Sequence, residues 1–280
     1  VREALTHGHV DCNETDFEGR TALHIAATAG QLSVVELLLE HKSSVRKMDA
    51  FGKTALDNAV TKQHMAVIKV LQKAGAVLQW DKVRTSGELC DAARAGQLDR
   101  LKLLMSCGLD INAADYDSRT CAHLAASEGN LRILEHLTTH GANVRVADRW
   151  GNTPLRDAMR NGHSTCARML YKLGAQLNFD ECEAAGELCE MAKQGKLDQL
   201  KLLLDCGCPI NSADYDQRTA IHLAASEGNL RIAEFLADSG ADLNVKDRWG
   251  GTPLQDAVRQ KHEDVAMMLC KRKADLGYDE

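Results

Sequence analysis

The strongest constraint in this 280-residue sequence is an internal repeat of 99 residues. Residues 86–180 align with residues 185–279 without a gap, and 56 of the 95 positions are identical. Six threonines fall on a finer grid whose step is 33 residues: Thr21, Thr54, Thr120, Thr153, Thr219 and Thr252. The elementary unit is therefore 33 residues long. A period of this size predicts a repeat architecture rather than one globular core.

Each unit repeats one local pattern, which is a turn followed by two helices. The turn begins at Asp16, whose side chain can close it, and Gly19 supplies a positive φ. Thr21 then opens a first helix, predicted over about residues 22–29, and Gly30 ends it. The second helix carries an apolar face formed by Leu32, Val35, Leu38 and Leu39. A helix pair of this size cannot bury its apolar face alone, so the units must stack on one another.

The repeated motif resembles the ankyrin repeat. The family's TPLHxAA signature stands as TALHIAA at Thr21–Ala27, TCAHLAA at Thr120–Ala126 and TAIHLAA at Thr219–Ala225. The segments DYDxRT and DRWGxTPL, each present twice, are similar to the ankyrin units of glutaminases, asparaginases and plant inward-rectifying potassium channels. The resemblance implies an all-α solenoid of stacked helix pairs with short β-turn fingers along one edge. It covers essentially the whole chain.

The repeat grid predicts one solenoid over residues 1–280. Residues 1–15 form a truncated repeat, residues 16–81 the first copy, residues 82–180 the second and residues 181–280 the third. Each full copy, which means the second and the third, holds three repeats of 33 residues. We expect the parent protein to continue on at least one side. The units that begin near Lys82 and Glu181 lack the Asp/Gly turn, so we expect a short or missing finger there. Ser118 and Gln217 replace the turn glycine, which predicts strained or differently shaped turns.

Composition favours a helical protein and narrows the partner classes. Hydrophobic residues make up 44 % of the chain, aromatic residues 4 %, and only three residues are proline. The net charge of −6 argues against nucleic acid as a partner. The chain lacks the run of roughly 18 apolar residues that a membrane span needs, so we expect no direct membrane insertion. Ten dispersed cysteines fit free thiols in a reducing compartment, which predicts a cytoplasmic location.

The sequence offers little for catalysis, and we expect no catalytic residue, cofactor or metal in this segment. His24, His123 and His222 occupy the motif position at which an imidazole hydrogen-bonds within the turn. A second set, His64, His163 and His262, precedes second helices and is predicted to cap them. Paired acids such as Asp115 and Asp117 lie in a surface turn without a dry pocket to separate their pKa values. Catalytic and nucleotide-binding motifs are absent from the sequence.

The aromatic residues suggest a binding surface. Six of them are predicted to occupy turn tips: Phe17, Phe51, Tyr116, Trp150, Tyr215 and Trp249. Exposed aromatic and arginine side chains are the types that most often anchor protein interfaces. Charged candidates accompany the aromatics, with arginines in the turns and glutamates after the first helices: Arg119, Arg149, Arg218, Arg248, Glu128 and Glu227.

These patterns leave three functional hypotheses open. The first is a protein-interaction module that binds a partner protein or peptide through the concave helix groove and the finger tips. The second is a regulatory or oligomerising part of a larger enzyme or channel, tethered within the longer chain. The third is a structural spacer in which the aromatic and charged tips pack on each other. The third copy, with 12 basic and 19 acidic residues, would prefer a basic partner segment.

Overall fold

A computed structural model describes residues 11–274, apart from the side chain of Glu181. Residues 1–10 of the predicted truncated repeat lie outside this range. The described part contains sixteen helices and no strand, with one isolated bridge between Ala213 and Thr219. In chain order the helices are α1 Ala22–Thr28, α2 Leu32–Glu40, α3 Ala55–Thr61, α4 Met65–Lys73, α5 Lys82–Arg94, α6 Leu98–Ser106, α7 Cys121–Ser127, α8 Leu131–Thr139, α9 Pro154–Arg160, α10 Ser164–Lys172, α11 Glu181–Lys193, α12 Leu197–Asp205, α13 Ala220–Ser226, α14 Leu230–Asp238, α15 Pro253–Arg259 and α16 Glu263–Lys271.

The described residues form two compact units, which divide the chain near α7 and α8. The first unit contains residues up to Ala125 together with Glu135–Ala142, and the second contains Ala126–Leu134 together with the residues from Asn143 onward. Within the first unit α1 packs on α3 and α2 packs on α4. Within the second, α13 packs on both α11 and α15, and α14 packs on α16. First helices therefore stack on first helices, and second helices stack on second helices.

Small residues let the first helices approach closely. Ala27 in α1 and Ala224 and Ala225 in α13 are completely buried. Leucine side chains from the second helices complete the core, as Leu38 of α2 and Leu236 of α14 show. This arrangement follows from the sequence pattern, because the burial of apolar surface drives the stacking of units that are too small to fold alone.

Threonine begins the short first helices, as the motif predicts. The Thr21 backbone N–H donates to His24 Nδ1 at 3.1 Å, and the Thr21 Oγ1 lies 2.8 Å from the same nitrogen. Asp57 takes the place of histidine in α3 and accepts from the Thr54 N–H at 3.0 Å and the Thr54 hydroxyl at 2.6 Å. Gln255 completes the same capping box in α15. Different side chains therefore satisfy the same helix N-terminus.

The fingers are missing where the sequence lacks the Asp/Gly turn. The helices α5 and α11 each contain 13 residues instead of seven. Asp81 and Asp180 cap them, because each carboxylate accepts from a backbone N–H three residues later at 2.7 Å. A helix thus replaces the finger in these two repeats, which agrees with the prediction of a short or missing finger.

The histidines before the second helices do not cap those helices, so that prediction was wrong. His64 lies at the N-terminus of α4 without a side-chain capping bond, and its Nε2 lies 3.0 Å from the Thr28 carbonyl oxygen of the preceding repeat. The ring packs against Gly30, where a Cβ atom would come within 2.7 Å of His64 Nδ1. Gly30 also has a φ of +68°, so both space and backbone conformation require glycine there. The imidazole reaches across to the neighbouring repeat rather than along its own helix.

Candidate functional site

An aspartate at the start of each of six turns holds the finger together. The Asp247 carboxylate accepts from the Trp249 N–H at 2.9 Å and from the Gly251 N–H at 2.6 Å. Equivalent pairs of bonds form at the other five fingers, which begin at Asp16, Asp49, Asp115, Asp148 and Asp214. At Asp16 these backbone bonds from Arg20 and Glu18, together with the Arg20 side chain, hold the pKa of the carboxyl below its usual value. Each tip is therefore a closed loop with a fixed shape.

The turns without glycine keep the same conformation. Ser118 has a φ of +60° and Gln217 a φ of +56°, close to the +71° of Gly19. The predicted change of shape at these turns is therefore absent. Since a residue with a Cβ is disfavoured in this region, the two positions carry local backbone strain.

The six predicted finger aromatics are exposed. Their exposed fractions run from 59 % for Trp150 to 92 % for Phe17 and Tyr116. The first unit carries Phe17, Phe51 and Tyr116, and the second carries Trp150, Tyr215 and Trp249. We call these six side chains the finger aromatics. Each unit therefore presents three aromatic rings to solvent on turns that aspartate bonds hold in place.

Arg248 joins two neighbouring fingers in the second unit. Its guanidinium pairs with Asp216 at 2.8 Å and lies 5.2 Å from the Tyr215 ring centroid and 5.4 Å from that of Trp249. Its backbone N–H also donates to the Asp216 carbonyl at 2.9 Å. The hydrogen bond to Asp216 raises the pKa of Arg248 above its usual value. Fingers thus contact each other as the spacer hypothesis expects, yet both rings stay largely exposed.

The remaining predicted site residues occupy three kinds of position. Arg149 is exposed and lies 5.0 Å from the Trp150 ring centroid. Arg119 and Arg218 lie at the bases of their fingers and are partly buried, Arg119 beside Asp115 at 3.5 Å and Arg218 paired with the buried Asp256 at 2.8 Å. The glutamates are exposed and directly follow first helices, Glu128 after α7 and Glu227 after α13.

A hydrogen bond with a constant spacing of 29 residues links successive repeats. His24 Nε2 lies 3.0 Å from the Lys53 carbonyl oxygen, and His222 Nε2 lies 3.2 Å from that of Gly251. The cysteines at the same motif position, Cys90 and Cys189, donate to the Arg119 and Arg218 carbonyls at 3.9 Å and 3.5 Å. The motif residue therefore fixes the next finger as well as its own turn, which was not predicted. Burial lowers the pKa of His222, which favours its neutral form.

All ten cysteines are free. Burial raises the pKa of Cys90, Cys121 and Cys189 to about 12, and that of Cys206 and Cys208 to about 11. Thiols with such values are protonated at neutral pH and are poor nucleophiles. These five side chains are structural.

Each unit contains a cleft. The second unit has a cleft of about 700 Å³ beside the missing finger of the third copy, with Tyr171, Phe179 and Pro209 in its wall. The first unit has a cleft of about 410 Å³ that contains His136 and His140. Among the described residues, no group of three or more His, Cys, Asp or Glu side chains could hold a metal ion. No described helix has the length and apolar character needed to cross a bilayer.

Comparison with known proteins agrees with this geometry. The family description "Ankyrin repeats (3 copies)" matches residues 1–79, 89–180 and 188–279. The chain belongs to the ankyrin-repeat family. The predicted all-α ankyrin-repeat fold is therefore confirmed.

The ankyrin repeats of this chain are similar to segments of larger proteins. An L-asparaginase of Dirofilaria immitis is 33 % identical over 123 residues, which are 44 % of this chain and 21 % of the relative. The potassium channel SKOR of Arabidopsis thaliana is 43 % identical over 126 residues, which are 45 % of this chain and 15 % of the channel. The human ASB11 ankyrin repeat domain has a similar structure, with a TM-score of 0.52 and 26 % identity over 67 % of this chain and 84 % of that domain. The matches to the two sequence relatives cover no more than about a fifth of either one's length.

Proposed function

We propose that this ankyrin-repeat chain is a protein-interaction module that performs no catalysis itself. Ankyrin repeats are in general protein-interaction folds and are typically non-catalytic. The finger aromatics carry the proposal, because each unit holds three exposed rings on turns that are fixed before any partner arrives. A surface that is already ordered loses little conformational entropy on binding. We propose that the partner is a protein or peptide, held by the finger tips and the concave helix groove.

The second unit offers the more developed surface. Arg248 holds Tyr215 and Trp249 near one guanidinium, and Asp216 neutralises its charge. An arginine paired in this way can contact a partner without a large desolvation penalty, and aromatic residues beside it are typical of interface hot spots. The acidic excess of the third copy favours a partner segment that carries lysine or arginine.

The relatives motivate a second candidate. Since the asparaginase and the potassium channel match only in a minor part of their length, the segment could regulate or oligomerise a larger enzyme or channel. A regulatory domain still acts through a surface, so both candidates need the finger aromatics. The candidates differ in whether the bound surface belongs to another protein or to the same parent chain. A structural spacer would need no bound surface at all. The free thiols fit a cytoplasmic location for each candidate.

Site-specific photocrosslinking tests the proposal. A benzophenone amino acid replaces Trp249 in one variant and Val83 in another, because Val83 is 80 % exposed but lies in a repeat without a finger. We expect crosslinks to a defined partner, or to the parent chain, from position 249 and none from position 83. Equal crosslinking from both positions, or none from either, contradicts a specific finger surface.

Alanine substitutions test how much each aromatic side chain contributes to the affinity for the partner. Trp249→Ala and Tyr215→Ala should each weaken capture of the crosslinked partner by about tenfold or more, as expected for hot-spot residues. Met267→Ala, at a residue also more than half exposed, is the control and should leave capture unchanged. A loss of thermal stability equal to the loss of binding would favour the spacer.

A further inference from the structure

The cleft of about 410 Å³ in the first unit brings together side chains that the interaction surface does not use. It lies between α6 and the end of α8, and its wall contains Lys102, Met105, His136 and His140. The two histidines are one helical turn apart, and their ring centroids are 4.1 Å apart. Imidazole is the commonest metal ligand among side chains, and a pair at this spacing can bind one ion from both sides.

Hydrogen bonding fixes the orientation of one imidazole. His140 Nδ1 lies 2.8 Å from the His136 carbonyl oxygen, which can only accept, so the proton resides on Nδ1 and the Nε2 lone pair is available. Metal-binding histidines commonly donate their second ring N–H in this way.

The distance between the rings is close to that of a chelate. Two imidazoles bound to one ion through Nε2 at about 2.0–2.1 Å place their centroids about 4.5 Å apart at a right-angled bond angle and about 5.5 Å apart at a trigonal one. The observed 4.1 Å is shorter than both, so the two side chains must rotate apart by about 0.5–1.5 Å to chelate one ion. Met105 adds a thioether to the wall of the same cleft, and a thioether is a soft ligand that suits Cu(I) and not Mg²⁺. Lys102 places a positive charge nearby, which favours the singly charged Cu(I) over a divalent ion.

We propose that His136, His140 and Met105 form a copper-binding site. Cu(I) is the state that the thioether and the neighbouring lysine favour. The site is separate from the finger aromatics, and it does not depend on the proposed interaction function. Water or a side chain of a partner protein would complete the coordination.

The third copy shows that the three ligands change together. At the equivalent positions it has Leu204, Phe235 and Ser239, although the two copies share 56 of 95 residues. The lysine persists as Lys201, which lies 5.1 Å from the Phe235 ring centroid. The fold therefore does not require the three ligands, because two apolar residues and a serine occupy the equivalent positions.

The first copy supplies a second comparison. His41 corresponds to His140, and its Nδ1 lies 2.9 Å from the Leu37 carbonyl oxygen. The His41 ring therefore makes the same hydrogen bond as the His140 ring, although Leu37 stands at the position equivalent to His136. His41 is a control with one ring in the right orientation and no second ring to complete a chelate.

Copper transfer from a chromogenic chelator tests the proposal. The full chain is used with Cys12, Cys107, Cys182 and Cys270 changed to serine, since these are the four thiols that are not buried. Cu(I) is supplied as its bicinchoninate complex. We expect one tightly held Cu(I) per chain, and a loss of affinity of about tenfold or more for His136→Gln and for His140→Gln. His41→Gln should have no effect.

Two further variants separate a copper site from a simple histidine pair. Met105→Leu should weaken Cu(I) binding several-fold while leaving Ni²⁺ binding unchanged. The triple change Leu204→Met, Phe235→His, Ser239→His should create a second site in the third copy. Unchanged Cu(I) affinity in the His136 and His140 variants, with native circular dichroism, would overturn the site. If His136→Gln and His140→Gln weaken Cu(I) binding but Met105→Leu does not, the proposed preference for copper would be overturned.

Discussion

Asp57 and Arg84 form an ion pair of 3.2 Å whose charges are exchanged 99 residues later, where Arg156 pairs with Glu183 at 3.0 Å. An aromatic side chain contacts the first residue of each pair, and its type differs between the two pairs. Trp80 donates its indole N–H to Asp57, whereas at the equivalent place Arg156 lies 4.7 Å from the Phe179 ring centroid. At each junction between copies, an acidic, a basic and an aromatic side chain therefore form a complementary set. The acidic and basic positions are reversed between the two sets.

Reversing the charge at one end of the first pair should destabilise the protein, and reversing both ends should restore much of the loss. Asp57→Arg removes a buried acceptor and places two arginines together, at a cost of about 3–5 kcal/mol. Adding Arg84→Glu and Trp80→Phe reproduces the set found at Arg156. We expect denaturant unfolding to show recovery of at least half of the lost free energy. If the triple variant is no more stable than Asp57→Arg alone, residues outside these three determine which charge position 57 tolerates.

His222 should contribute to a loss of stability in acid. Burial lowers its pKa in the folded state, so the unfolded state binds its proton more readily once the pH falls below about 6.5. The free energy of unfolding should therefore fall with decreasing pH in that range. His222→Gln, which copies Gln255 of the next repeat, should cost about 1 kcal/mol at pH 7 and flatten this dependence. An equally steep pH dependence in the variant would contradict the assignment.

Glycine at position 217 should stabilise the finger that begins at Asp214. Gln217 has a φ of +56°, a conformation in which a Cβ costs about 1–2 kcal/mol, although the freer unfolded chain of a glycine variant offsets part of the gain. We expect Gln217→Gly to raise the free energy of unfolding by up to about 1 kcal/mol. The reverse change, Gly250→Gln in the next finger, should lower it by a similar amount. Thermal unfolding of both variants measures the difference.

Thiol reactivity should separate the cysteines by burial. Cys182 and Cys270 are exposed and should react with a disulfide reagent within seconds to minutes at neutral pH. Cys90, Cys121 and Cys189, whose pKa values burial raises to about 12, should react only after unfolding. Mass spectrometry of partly labelled protein identifies the modified residues. Early labelling of Cys121 would show that the core of the first unit opens readily.

The sequence was sufficient for features that depend on local signals. Thr21, Asp16 and Gly30 mark a helix start, a turn and a helix end, and the structure follows each of them. The missing fingers were also predictable, because the Asp/Gly turn is absent from the chain itself. Local geometry was enough wherever the contacts lie within one repeat.

Contacts between repeats were not predicted as well. The role of His64 was misjudged because its partner, the Thr28 carbonyl, is 36 residues away and belongs to the preceding repeat. The polarity exchange at Asp57 and Arg156 has a signal in the sequence, because positions 84 and 183 change sign together with them. The copper ligands have a similar signal in the concerted differences at 105, 136 and 140. A comparison of copies position by position would have found both.

The 29-residue hydrogen bond limits how such a chain can change its length. The bond from the motif residue ends on the carbonyl of the following finger, at Lys53, Arg119, Arg218 and Gly251. An insertion of a few residues between the two partners would move the acceptor away and leave a buried imidazole or thiol unsatisfied. Duplication of a complete repeat keeps every donor opposite an acceptor. A chain of this kind can therefore lengthen by the duplication of complete repeats, as in the 99-residue copies, without loss of the hydrogen bonds between repeats.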